Sequence, residues 1–268
     1  MLMLTHAWVL SHFLQNESVE AANPELFVYN ICPDFLPVHE LFSSEITHRV
    51  SRFKDLPPKY RKAAFIHFHL MVDDMAHHGK IDEIPVTTFN PYSQGYTYLK
   101  GKPLIQPLMA LYERHGNPID FKGAAYRSHM VIEMTYDLAL FFARPDECGR
   151  LINIMCKAMN QLNDDDKLAE FSEVVGWFYS KDRKKVEEAV RKSIRFYTES
   201  RMNAFMTLDG RIRAFIRKFG LDDKDIAIYS DVEVLMSEGL SLVGDYEEFL
   251  DPTLAEIRKV GFNPVISF

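Results

Sequence analysis

The stretch that decides the fold is Phe65-Ile66-His67-Phe68-His69-Leu70-Met71-Val72-Asp73-Asp74-Met75-Ala76-His77-His78-Gly79. It places four of the chain's 10 histidines and two aspartates in an otherwise apolar segment. Pro57-Pro58 precedes it and Gly79 closes it, the punctuation of a helix over about 57–78. Wound at about 100° per residue, its polar residues sort into two stripes. His67, Asp74 and His78 lie within roughly 20° of one line, and this stripe reads as the solvated face. His69, Asp73 and His77, spaced i, i+4, i+8, form the other and point into the protein.

A carboxylate buried between two imidazoles is costly unless something neutralises and coordinates it. A divalent cation does both, and imidazole nitrogen with carboxylate oxygen is a usual ligand set for zinc. The competing reading is a set of buried Asp–His hydrogen bonds with no metal.

Working outward, Thr5 can cap a first helix that runs to about Leu14, with His6 in its first turn. Asp34 falls in the loop Asn30-Ile31-Cys32-Pro33-Asp34-Phe35-Leu36-Pro37, immediately after a proline, and His48 in a helical segment over about 39–53. Residues 79–102, with Pro85, Pro91, Gly95 and Gly101, read as a long ordered loop bearing Phe89, Tyr92, Tyr96 and Tyr98. Those rings suit an apolar rim, a stacking platform for bases, or simple packing. A shorter helix is expected over about 103–114, then one apolar on nearly all sides over about 120–143. That helix carries His129 and Glu133 four apart, with Asp137 one turn on as an acceptor for a ligand imidazole.

Beyond it, helices are expected at about 147–162, 167–179, 182–199, 203–219, 230–242 and 252–260. Short strands at 225–229 or 232–235 are the only alternative to an all-α class. The chain reads as a single all-α domain over 1–268, a multi-helix bundle with a metal-site portion over about 1–143 and a helical remainder over about 144–268. Eight of the 10 histidines precede residue 79 and none follows residue 129, so site chemistry belongs to roughly the first 137 residues.

Composition is that of an ordinary globular protein, 47% hydrophobic and 26% charged. A net charge of −7 argues against duplex nucleic acid as partner. The 3 cysteines are too few and scattered for a disulfide framework. With no visible signal peptide and no apolar run of about 18 residues, the expectation is a cytoplasmic protein without a transmembrane segment.

The order His6, Asp34, His48, His69-xxx-Asp73-xxx-His77, His129-xxx-Glu133 resembles the zinc-dependent phospholipase C and single-strand nuclease superfamily. Thr5-His6-Ala7-Trp8-Val9 is similar to the early helix of that family, Pro33-Asp34 to its Pro-Asp loop, and the Asp34-to-His48 step to the phospholipase spacing. The likeness covers about half the chain. It implies an all-α bundle with two or three zinc ions in a cleft between helices. Asp34, His48, His69 and Asp73 would hold one ion, with Asp73 bridging to a neighbour. His77, His129 and Glu133 would hold a second, with His78 as the alternative to His77. His6 would belong to a third, where the family adds the N-terminal amine and carbonyl. Asp34 would be a ligand or the catalytic general base of a phosphodiester hydrolase acting on a small-molecule, lipid or nucleotide phosphoester. Two other readings compete. One is a di-iron carboxylate redox bundle, for which the chain has a single Glu-xx-His motif, Glu45 to His48. The other is a non-catalytic helical protein with a structural metal.

Overall fold

The structure, a computed structural model, describes residues 1–15, 20, 22–83, 85, 86 and 89–264. Every regular element among them is helical. The segment expected to offer short strands is α-helix from Ile226 to Leu242, started by the Asp225 carboxylate accepting from the N–H groups of Ala227 and Ile228.

Five helices surround the site. α1 (Met3–Leu14) is buried from Met3 to Ser11, so it is a core helix rather than an amphipathic cover. α2 (Glu25–Phe35) packs against it. After the short α3 (Ser44–His48) and a 3-10 turn over Pro58–Ala63 comes α4 (Ala64–His78), buried from Ala64 to Ala76. Gly79, at φ +74°, ends α4 by donating to the carbonyls of Asp74 and Met75, a left-handed cap that favours glycine. α5 (Tyr96–Gly101) and α6 (Ile105–Arg114) lead into α7 (Phe121–Ala143), the longest helix, opened by Asp120 accepting from Gly123 N–H at 2.7 Å.

The remainder wraps this centre. α8 (Pro145–Gln161) packs on α1 and α2, and α9 (Asp165–Tyr179) pairs with α10 (Arg183–Phe196). α11 (Glu199–Ala204) and α12 (Leu208–Lys218) follow, and α13 (Ile226–Leu242) lies along α7. α14 (Glu247–Lys259) returns to α4. One continuous apolar core runs from Met1 to Ile257 through all of these.

Three local expectations are corrected. Asp34 lies in the last turn of α2, with Pro33 inside the helix. Proline's φ suits a helix and forfeits one hydrogen bond, which burial of Phe27, Ile31 and Phe35 on the same segment offsets. The helix around His48 is one turn long, because Arg49 leaves helical geometry and the Arg52 guanidinium takes the carbonyls of His48 and Val50. The long loop ends early, since Tyr96 and Tyr98 belong to α5.

The larger correction concerns α4. His67 and Asp74, expected on a solvated face, are 4% and 1% exposed. The Arg52 guanidinium clamps both Asp74 oxygens at 2.7 and 2.9 Å, and Phe178 of α9 covers His67 with ring centres 5.1 Å apart. A helical wheel orders residues around one helix but cannot show that partners cover both sides.

Candidate metal centre

The i, i+4, i+8 stripe of α4 faces inward, and each of its members meets a partner from another helix. His69 Nε2 lies 3.4 Å from Asp73 Oδ2 and 3.8 Å from Asp34 Oδ1 of α2. His48 Nε2 of α3 lies 3.2 Å from Asp73 Oδ2, 3.6 Å from Asp34 Oδ1 and 3.4 Å from His69 Nε2. Two imidazole nitrogens and two carboxylates thus converge. The imidazole–carboxylate separations lie near the tetrahedral edge expected for ligand bonds of about 2.0–2.1 Å, roughly 3.3–3.4 Å, while Asp34 and Asp73 share no group of ligand-type atoms within 4.8 Å.

His6 of α1 completes a second group with His69 and Asp73. Its ring stacks on His69 at 3.5 Å between centres, with Nε2 3.2 Å from Asp73 Oδ1. The α-ammonium of Met1, fully buried, lies 2.7 Å from Asp73 Oδ1 and 2.9 Å from Glu133 Oε1 and so joins this cluster to the next. There, His77 Nε2 is 2.7 Å from Glu133 Oε1, and the His77 and His129 rings stand perpendicular at 5.5 Å. Ligand-type atoms lie within 4.8 Å of one another in each of three groups: His6, His69, Asp73; Asp34, His48, His69; and His77, His129, Glu133. All eight residues singled out from the sequence are brought together. His78 joins none of the three groups.

The last turn of α4, which aims His77, is pinned from outside. Thr97 Oγ1 donates to Ala76 O at 2.9 Å, and Ser93 Oγ donates to His77 O. The chain passes so close at Gly95 that a Cβ there would meet the His77 carbonyl carbon at 2.1 Å. Only glycine allows that approach.

The electrostatics are those of an anionic pocket wanting cations. Burial alone would raise Asp34, but the neighbouring His69 ring and the hydrogen bond from His48 hold its carboxyl below its usual value. Burial likewise opposes the ionisation of Asp73 and Glu133, yet the Met1 ammonium and neighbouring imidazoles hold both well below normal. The Met1 ammonium, despite burial, is raised to about 11 by Asp73 and Glu133. His48, despite burial, is raised to about 10 by Asp34 and Asp73. His69 and His129 stay neutral, burial pushing them down to about 4 and about 3.

His48 is informative in detail. Its Nδ1 lies 2.8 Å from the Ser44 carbonyl, to which Nδ1–H donates, and this leaves Nε2 facing two carboxylates and another imidazole. That arrangement needs either a second proton on the ring or a cation in front of it. Buried Asp34 Oδ2 and both nitrogens of His6 also lack hydrogen bonds of acceptable geometry. Mixed nitrogen and oxygen donors, neutral imidazoles and excess negative charge fit zinc or a similar divalent ion.

Asp137 does not meet an imidazole. It accepts from Thr5 N–H at 3.0 Å and Thr5 Oγ1 at 2.5 Å, and pairs with Arg211 Nη2 at 2.8 Å. Thr5 is therefore held by α7 instead of capping α1, which begins at Met3. Nothing in the sequence separates Arg211 from its neighbours Arg213 and Arg217. The aromatic residues divide: Tyr98 stacks on His129 at 4.8 Å, Tyr96 packs on Tyr136 and Phe249, and Phe89 contacts Tyr98 and Tyr126. Tyr92 alone of the four is strongly exposed, at 68%, and stacks on Phe121.

The class defined here is an all-α protein with three adjoining His/carboxylate groups. No known protein family, curated protein or solved structure matches the chain. No helix among the described residues is long and apolar enough to cross a membrane.

Proposed function

We propose that this protein is a zinc-dependent phosphodiester hydrolase of the kind its ligand order resembles. The observation that carries the proposal is the convergence of three contiguous groups of buried and half-buried His and carboxylate atoms from five helices. Asp34, His48, His69 and Asp73 would hold one ion, His77, His129 and Glu133 a second, and His6 with Asp73 a third beside the Met1 amine. Zinc so held supplies Lewis acidity towards phosphoryl oxygens and makes water nucleophilic near neutral pH.

The chain's own residues do the rest. Asp73 meets His6 through Oδ1 and both His48 and His69 through Oδ2, so it bridges the first and third of these ions. Asp34, at the end of α2 and 18% exposed at its side chain, is the carboxylate best placed to take a proton from an attacking water. Tyr98 and Phe89 wall one side of His129 and limit water there. The phosphoester substrate, whether lipid, nucleotide or small molecule, would enter past Tyr126, which is exposed and lies against His129. The di-iron reading fares worse, because Glu45 is turned to solvent and pairs with Arg49 rather than with the cluster.

The test is Asp34→Asn, with zinc content and hydrolysis of bis(p-nitrophenyl) phosphate measured on one preparation. Most zinc should remain while turnover falls about 10²- to 10⁴-fold, the usual worth of a positioned acid–base group. Full turnover with full zinc would remove Asp34 from the mechanism. A zinc-loaded wild type inert towards phosphodiesters would overturn the activity.

A further inference from the structure

The site's ligands all come from residues 1–137, yet the second half of the chain reaches them through buried side chains. Arg211 of α12, 5% exposed, pairs with Asp137 at 2.8 Å. Asp137 in turn holds the N–H and hydroxyl of Thr5, the residue before His6. Tyr179, the last residue of α9, donates its hydroxyl to the carbonyl of Thr47, the residue before His48, at 3.3 Å. Ser193 of α10 shares its hydroxyl between Ala189 O and the carbonyl of Phe35, the residue after Asp34, each at 2.9 Å. Each contact falls one residue from a ligand candidate and on a different element: α1, α3 and α2.

These contacts have a common physical consequence. A ligand side chain can be aimed only as well as its own backbone is fixed, and metal sites depend on groups that hold the ligands in place. Thr5 N–H belongs to the first turn of α1, where no carbonyl within the helix can satisfy it. The Asp137 carboxylate does so from another helix, and Arg211 Nη2 holds that carboxylate in orientation by donating to its other oxygen. Burial lowers Arg211 and Asp137 opposes the fall, so the guanidinium depends on this pair. The one-turn α3 is too short to hold itself, and Tyr179 ties its Thr47 carbonyl to the helical remainder.

We propose that Arg211 and Tyr179 are positioning residues, through which the second half of the chain sets His6 and His48 for metal binding. The proposal rests on the metal reading given above. Ser193 makes a third, shared contact of the same kind beside Asp34.

The test compares Arg211→Met, Arg211→Lys and Tyr179→Phe with Ile212→Val, a change in the α12 core that touches none of these contacts. Zinc affinity is read by chelator competition and ligand geometry by the visible spectrum of the cobalt-substituted protein, beside melting temperature. Arg211→Met and Tyr179→Phe should each weaken one ion about 10- to 100-fold and change the cobalt spectrum. Arg211→Lys should recover part of the loss, while Ile212→Val should lower melting alone. Variants that bind zinc as the wild type does, with an unchanged cobalt spectrum, would overturn the proposal and leave the metal site standing. A wild type that binds neither zinc nor cobalt would overturn both. Tyr179→Phe removes one oxygen only, so the question is answered even if Arg211→Met fails to fold.

Discussion

Replacing Arg52 with methionine should destabilise the protein by about 3–4 kcal/mol at pH 7. Arg52 and Asp74 are 5% and 1% exposed and form a bidentate pair at 2.9 and 2.7 Å. Removing one partner of a buried pair typically costs about 3–5 kcal/mol, because the other charge is left without compensation. Asp74 would retain the Asp82 N–H at 3.2 Å, a weak substitute. The cost has a ceiling, because the carboxyl can protonate instead. Lifting an ordinary Asp from about 3.9 past pH 7 costs about 4 kcal/mol at 1.36 kcal/mol per unit. Burial already raises Asp74 above its normal value with Arg52 in place, so this escape is close at hand. The penalty should therefore shrink as pH falls towards 5, where protonation becomes cheap. Urea denaturation of wild type, Arg52→Met and Arg52→Met/Asp74→Asn at pH 5 and pH 7 reads all three quantities. The double variant should recover most of the loss. Since Arg52 Nη1 also holds His48 O at 2.8 Å, the single variant should lose metal affinity as well. A loss below about 1 kcal/mol at pH 7, or one that does not shrink on acidification, would refute the reasoning.

His77→Ala should strip the ion shared with His129 and Glu133, whereas His78→Ala, which joins no ligand group, should keep full metal content. Elemental analysis of the two proteins decides between adjacent histidines, and the opposite result would exchange their roles. Chelator-treated protein should be most stable near neutral pH. His67, His69 and His129, depressed by burial to about 4, about 4 and about 3, bind fewer protons folded than unfolded, so stability falls as pH drops from about 6.5 through those values. His48, raised to about 10 by Asp34 and Asp73, acts oppositely and withdraws its contribution as pH climbs from about 6.5 towards 10. A melting temperature of the metal-free protein that rises from pH 7 to pH 5 would contradict this balance.

Much of the site was legible because it is built on helices. The i, i+4, i+8 spacing of His69, Asp73 and His77 places three side chains on one line whatever surrounds them, and His129 with Glu133 repeats the device on α7. The long helix expected over about 120–143 is found at Phe121–Ala143, because Asp120 caps it and few breakers lie within. What could not be read is tertiary. His67 and Asp74 look like a solvated face until Arg52, more than 20 residues upstream, and Phe178, over 100 residues downstream, are seen to cover them. Asp137 has the spacing of a third inward polar residue, but its partners are Thr5 and Arg211, neither of which any period predicts. The histidine distribution pointed to the first half of the chain and was silent about the buried Tyr179 and Arg211 contacts from the second.

The central claim, that the three His/carboxylate groups hold divalent metal, is tested most directly by elemental analysis of purified protein before and after chelation, with melting followed on the same samples. The account predicts two or three zinc or similar ions per chain, lost to chelator together with thermal stability, because a ligand that binds only the folded state stabilises it. Protein that contains no transition metal, takes up none when zinc is supplied, and melts at the same temperature with and without chelator would contradict it.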